Sequence, residues 1–392
     1  MKKYIKIIFV ITICIFIILN TASCKNAHEL NRLAIVMGVA IDKSSDLNKI
    51  QTTVQVAKVS AIGKSSSNLG LSDISKSFIN YKGNGYTLME AITSINRKLN
   101  RRLFFPHNQI IIISKEAAEE GVGKYLDFFL RNRETRLLEW IVISDTDASK
   151  ILDVKPDMES TTGRSIGELI KTEKDVTQVP TVDLKEFTQK LMSKSTSPVA
   201  AIVKIIKEDN KDMIMLTGTA VFNNDKMVGQ LNKKESRGFL WGTGEMKGEI
   251  ILVPEPKNKG MLSLQITKSS AKITPEIKGN KIYMNMKISE EGDVGEQTSN
   301  EDEANPDAFK EIQKSAEEAI KNEVMDALKK SKELNSDIFG FSDTIYQHYP
   351  KEWVKLESNW KQVYQDIIVN ITVEAKLDRT GRITKPAMSK EK

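Results

Sequence analysis

Gln109 to Ser114 reads QIIIIS, and Leu137 to Ser144 reads LLEWIVIS. Between them, from about Lys115 to Asn132, Ala118, Val122, Leu126, Phe129 and Leu130 recur at helical spacing. Four successive isoleucines leave no polar face, so the first run suits a short strand buried on both sides. Strand, helix and strand together make a βαβ unit, which folds right-handed as a rule.

Upstream, Leu33 to Ile41 (LAIVMGVAI) and the alternating Gln51 to Val59 (QTTVQVAKV) read as two strands joined by Lys43-Ser44-Ser45-Asp46. Ser60 to Gly85 reads mostly as loop. Thr87-Leu88-Met89-Glu90 has capping-box spacing. Leu88, Ala91, Ile92, Ile95 and Leu99 then follow as a helical stripe.

Downstream, a third helix is predicted over Gly163 to Thr172 and a linker over Ser193 to Pro198. Strands dominate after that. Ala200 to Lys207 alternates, and Met213 to Phe222 meets the turn Asn223-Asn224-Asp225-Lys226 before Met227 to Leu231. Glu249 to Val253, Leu262 to Thr267 and Lys281 to Ile288 add three more. Ser289 to Asn305 holds seven Asp or Glu and no Lys or Arg, and reads as a solvated connection.

Asn305-Pro306 then opens the strongest helix, with Asn as cap and Pro where no N–H is needed. Phe309, Ile312, Ala316, Ile320, Val324, Ala327 and Leu328 form its one apolar stripe, up to about Leu334. Pro350 opens another helix through Trp353, Leu356, Trp360 and Val363, and Ile367 to Leu377 closes the chain as a strand. The fold class expected is α+β: three mixed α/β domains, with a strand-rich second half and a long amphipathic helix packed on a sheet. The expected divisions are 1–23 (leader), 24–195, 196–248, 249–378 and a polar tail over 379–392.

The leader is read from Lys2, Lys3 and Lys6, the apolar run Ile7 to Leu19, and Thr21-Ala22-Ser23 before Cys24. These are the parts of a secretory signal. The run is short for a bilayer span, which takes about 20 residues. A cysteine after small residues is the lipoprotein pattern, although position 21 holds Thr where Leu is usual. An ordinary cleaved signal and an uncleaved anchor helix are the other readings. All three place the bulk of the chain outside the cytoplasm. Of the two cysteines, Cys14 lies in the leader, so Cys24 stands alone in the remainder. It is then a lipid acceptor with no disulfide partner. Losing three lysines with the leader takes the formal net charge from +6 down to +3. That is too weak a balance to point to nucleic acid.

Catalytic signals are sparse. His28, His107 and His348 belong to no metal-binding pair, so no metal and no cofactor are expected. Gly242 to Gly248 lacks Walker spacing, and Ser269-Ser270-Ala271-Lys272 lacks the companion motifs of penicillin-recognising enzymes. Phe105-Pro106-His107-Asn108 reads as a turn whose polar side chains cap backbone groups. Trp353 and Trp360 read as core. Arg131, Arg133 and Arg136 suit a helix C-terminus and carboxylate pairing, or a partner's acidic surface.

Several of these segments, in this order, resemble the Ger(x)C lipoprotein family, the C subunits of spore germination receptors. They are His28 to Ala34 with Gly38 to Asp42, Pro106 to Lys115, and Gly121 to Arg136. Thr217 to Phe222, Asp225 to Gly229, Glu235 to Trp241, Asp337 to Phe341 and Pro350 to Trp353 with Trp360 follow. The resemblance spans nearly the whole chain beyond the leader. It implies a three-domain α+β lipoprotein, lipid-anchored at the outer face of the inner spore membrane. It also implies membrane-embedded A and B subunits as partners, a role in triggering germination by nutrients, and no enzymatic activity. The exposed face of the Asp307 to Leu334 helix joins the arginines as a candidate docking surface. The rival expectation is an extracytoplasmic solute-binding lipoprotein of a transporter.

Overall fold

The computed structural model describes residues 3–9, 12, 32–46, 48–58, 77–193, 195–256, 260–298 and 306–379. Cys24, Asn305 as helix cap and the 380–392 tail lie outside the described residues.

Two sheets carry the architecture. The first runs in the order β3-β2-β1-β5-β6-β7-β8-β9, with β4 also paired to β1. Its strands are β1 (Leu33–Lys43), β2 (Ile50–Ala57), β3 (Phe78–Gly85), β4 (Arg102–Phe104), β5 (Ile110–Ser114), β6 (Trp140–Ser144), β7 (Val199–Glu208), β8 (Lys211–Asn223) and β9 (Lys226–Leu231). Its centre is parallel: β1 pairs β5, β5 pairs β6 and β6 pairs β7 in the same direction. The isoleucine run is β5, and all five of its residues are buried. Ile110 and Ile112 pack on one face with α4 (Ala148–Asp153) and α5 (Thr162–Glu173). Ile111 and Ile113 pack on the other with α1 (Leu88–Asn96), α2 (Lys115–Glu120), α3 (Gly123–Arg131) and α6 (Leu184–Met192). Helices on both faces are why this strand lacks polar alternation.

The second sheet is β10 (Ile250–Pro254), β11 (Met261–Lys278), β12 (Lys281–Gln297) and β13 (Ile368–Arg379), in that order. The long helix α8 (Pro306–Glu333) lies on it, with Ile312, Ala316, Ile320, Val324 and Ala327 buried at the predicted spacing. The fold is therefore α+β, with the long amphipathic helix on a sheet as expected. Ahead of it, α7 (Lys233–Thr243) is closed by a full capping box between Asn232 and Glu235. Gly244 caps its C-terminus at φ 75°, which places Gly242 and Gly244 at a helix end. Beyond α8 come α9 (Phe341–His348), α10 (Pro350–Leu356) and α11 (Trp360–Asp366).

Five local expectations change. The helix expected from Lys115 to Asn132 breaks into α2 and α3 at Gly121, whose φ is 125°. A Cβ there would meet Asp225 Oδ2 at 2.7 Å, and Asp225 O accepts the Val122 N–H at 2.8 Å. The turn between β8 and β9 thus docks into the break. The strand expected from Leu137 begins only at Trp140. The acidic stretch expected as a solvated connection is strand as far as Gln297, because β12 is paired on both edges, by β11 and β13. The stretch read as loop before Gly85 holds β3, paired along β2. Finally, Ser193 to Pro198 is tied down rather than loose. Ser197 N–H donates to Asp337 O at 2.9 Å, and Thr196 bridges to Asp337.

The boundary expected at 195/196 falls between α6 and β7, and β7 pairs directly with β6. Alternating hydrophobicity identifies a strand but not the sheet that receives it.

Candidate functional site

The three arginines lie on the segment that leads from α3 into β6. Arg131 ends α3 and is spent locally, with Nε 2.8 Å from Asp127 Oδ1 one turn back. Arg133 and Arg136 are exposed and make no ion pair among the described residues. Glu134, between them, pairs with Arg102 at the start of β4. The three side chains do not converge on a pocket.

What holds this segment is a buried carboxylate. Glu139 is 1% exposed. It accepts from Asn108 Nδ2 at 2.6 Å and from the Arg136 N–H at 3.1 Å. Burial pushes its carboxyl up to about 7, against the opposing pull of those two donors and the Arg136 charge. The backbone is held from the other side by α6, where Leu184 N–H donates to Glu139 O at 2.8 Å and Lys185 N–H to Leu137 O at 2.9 Å. Between these clamps Leu137 and Leu138 are turned outward, 46% and 70% exposed. The sequence alone predicts both inside a strand, because the apolar run LLEWIVIS reads as continuous. The buried Glu is the signal that breaks it, but its partner Asn108 stands 31 residues upstream. The Phe105 to Asn108 turn is present, with Asn108 N–H donating to Phe105 O at 2.7 Å. Its Asn side chain goes to Glu139 and its His107 is exposed.

Other buried carboxylates serve the backbone. Asp42 accepts from the Ala148 and Ser149 N–H groups at 2.6 and 3.0 Å. Asp337 accepts from Phe341 and Ser342 at 3.0 and 2.8 Å, and Glu173 Oε1 takes Gln178 and Val179. Burial raises all three carboxyls, Asp337 to about 6. Two successive N–H groups on one carboxylate make a helix-start or turn anchor. Acid–base work at those atoms would first break these bonds. Among the described residues, no three His, Cys, Asp or Glu side chains are grouped to hold a metal ion.

A second polar cluster joins the two sheets. Arg237 of α7 sits 3.4 Å from Glu249 and 3.3 Å from Glu323 of α8. Trp241 Nε1 donates to Glu323 at 3.1 Å, and Gln178 Nε2 to Glu249 at 3.2 Å. Nearby, a cleft of about 370 Å³ opens between α6 and α11. Lys190, Ser193, Asn224 and Lys361 line it, over Asp337, Trp360 and Tyr364. Trp353 and Trp360 are core, their rings edge to face at 5.1 Å, although the buried Trp360 Nε1 has no hydrogen-bond partner among the described residues.

Comparison with known proteins identifies the family of the chain. The family described as "Spore germination protein N-terminal domain" matches residues 26–205, and "Spore germination B3/ GerAC like, C-terminal" matches residues 217–381. The chain belongs to the Ger(x)C family of spore germination proteins. It is 25% identical over 381 residues to spore germination protein KC of Bacillus subtilis (strain 168), covering 93% of each chain. To the putative spore germination protein YfkR of the same organism it is 26% identical, covering 98% of this chain and 99% of that one. In structure it is similar to the crystal structure of the GerBC protein, with a TM-score of 0.59 at 17% identity, over 87% of this chain and 96% of that one. The last likeness concerns the fold. The family membership assigns the chain a germination-related role.

Proposed function

We propose that this chain is the lipid-anchored, non-enzymatic subunit of a spore nutrient germinant receptor. It sits at the outer face of the inner spore membrane and assembles there with membrane-embedded A and B subunits. The observation that carries the reading is Cys24. It follows a basic, apolar and small-residue leader, has no second cysteine after it, and stands in a chain of the spore germination family. A lipid on Cys24 holds the protein in two dimensions and raises its effective concentration beside its partners. Two or more acyl chains make such an anchor stable, where one is marginal. The outer face of α8, crowded with Lys and Glu, is the surface offered to the partner subunits. Among the described residues no helix is long and apolar enough to cross a membrane, so the lipid supplies the attachment in this proposal.

The test is Cys24→Ala, with membrane retention, recovery of the receptor complex and nutrient-triggered germination measured on the same spores. Loss of all three is expected. Retention together with normal germination would overturn the tether. The rival reading, solute binding, has a place in the cleft between α6 and α11, lined by Lys190, Ser193, Asn224 and Lys361. A rise in melting temperature with an amino acid or sugar would support it, since a ligand that prefers the native state stabilises it.

A further inference from the structure

We propose that one edge of the first sheet rests on the lipid surface itself. Leu137 and Leu138 enter the headgroup boundary, and Arg101, Arg133 and Arg136 lie on anionic headgroups. The inference builds on the proposed anchor at Cys24.

The topology places these groups together. Strands β1, β4, β5 and β6 are all parallel to one another, so their N-terminal ends share one edge. Leu33, which opens β1, is in register with Arg102 of β4, and Arg102 pairs with Glu134 of the arginine segment. The chain arriving from Cys24 therefore enters the fold beside that segment. Eight residues separate Cys24 from Leu33, and the nine extended steps between them reach at most about 32 Å. A lipid on Cys24 keeps this edge within that distance of the membrane.

The chemistry of the edge fits a bilayer. Two clamps, Glu139 below and α6 beside, present two adjacent leucines to solvent, with Leu130 also 42% exposed. Around them, Arg101, Arg133 and Arg136 are exposed and unpaired among the described residues. The acidic groups of this edge are mostly engaged: Asp127 with Arg131, Glu134 with Arg102, and Asp183 accepting the Glu186 N–H to cap α6, with Glu186 and Lys185 exposed next to it. Apolar side chains flanked by cations are the composition of an interfacial contact. At the opposite edge, beyond the C-terminal ends of β5 and β6, Glu119, Glu120, Asp145 and Asp147 are each paired with a lysine. That edge is charge-balanced. The sequence offered the same arginines to a partner's acidic surface, but the leucines and the chain entry favour lipid.

The absence of cysteine after Cys24 gives a clean test. The full chain is produced with its leader, and Leu138→Cys or Glu116→Cys carries an environment-sensitive fluorophore, the second at the far edge. The processed protein is reconstituted in vesicles of phosphatidylcholine and phosphatidylglycerol carrying a headgroup-level quencher. The proposal expects a blue-shifted, quenched probe at 138 and a water-exposed probe at 116. At about fivefold per cation on an anionic surface, Arg133→Ala with Arg136→Ala lowers the lipid-contact ratio about 25-fold. Equal, water-exposed probes overturn the proposal, as does protection of 138 that appears only when purified A and B subunits are added. Intact mass reports the anchor independently. If the mass lacks a diacylglycerol, the anchor reading fails, and the quenching at 138 on the added vesicles still decides the lipid contact.

Discussion

Glu139→Gln tests the clamp that shapes the arginine segment. A folded-state carboxyl at about 7, against an ordinary value of 4.5, binds its proton more tightly in the native state. The native chain therefore holds more protons than the unfolded one between those values, and stability falls as pH rises through that window. The stability is fully present below about 4.5 and lost above about 7. The gap between those two values corresponds to roughly 3 kcal/mol at pH 8. Glutamine copies the protonated acid. Its oxygen still accepts the Arg136 N–H, and its amide can donate to Asn108 Oδ1, which is buried without a partner, once the Asn108 amide turns over. The variant is thus expected to exceed the parent by about 1 kcal/mol at pH 5, where the unfolded acid has already mostly ionised, and by about 3 kcal/mol at pH 8. Urea unfolding of both proteins at pH 5, 6.5 and 8 measures this. Asp337, also raised to about 6, is present in both proteins and cancels in the difference. A difference that stays constant across pH, or a variant weaker at pH 8, would refute a native-state proton on Glu139.

Two further substitutions probe the joint between the sheets. Gly238→Ala puts a Cβ 1.9 Å from the Glu323 carbonyl oxygen, so α7 must move off α8. A loss of about 2–3 kcal/mol is expected, read as a lower melting temperature. Arg237→Met leaves the buried Glu249 carboxylate and the partly buried Glu323 carboxylate without their shared cation. Removing one partner from such a site costs about 3–5 kcal/mol. The loss is expected to shrink when Glu323→Gln is added, and unchanged melting of Arg237→Met would show the cluster to be dispensable.

The parts of the fold legible in the sequence are those with a local cause. The stripe on α8 buries as its 3.6-residue period says, and the isoleucine run is a two-faced strand because nothing polar interrupts it. Thr87 caps α1 as its spacing says, accepting the Glu90 N–H at 3.1 Å, although Glu90 reaches the Tyr86 N–H instead of that of Thr87. The acidic stretch after Ile288 misled because charge density argues for solvent only where no strand is waiting on either side. There, Glu290 is 1% exposed within β12.

The site was half legible for the same reason. Three arginines in six residues are visible in any reading, and so are the two leucines that follow. Their separation into a committed Arg131, two outward arginines and two outward leucines is set by contacts remote in sequence. Asn108 reaches Glu139 across 31 residues, Arg102 reaches Glu134 across 32, and α6 supplies the backbone donors. Two of these contacts use a group that local patterning assigns elsewhere: Asn108 to its own turn and Glu139 to a strand face. Had Glu139 been apolar, the strand could have begun at Leu137, the two leucines would have alternated across the sheet, and one of them would have faced the core. A single buried acid thus turns an ordinary strand start into an exposed apolar edge, and that edge stands where the chain from Cys24 enters the fold.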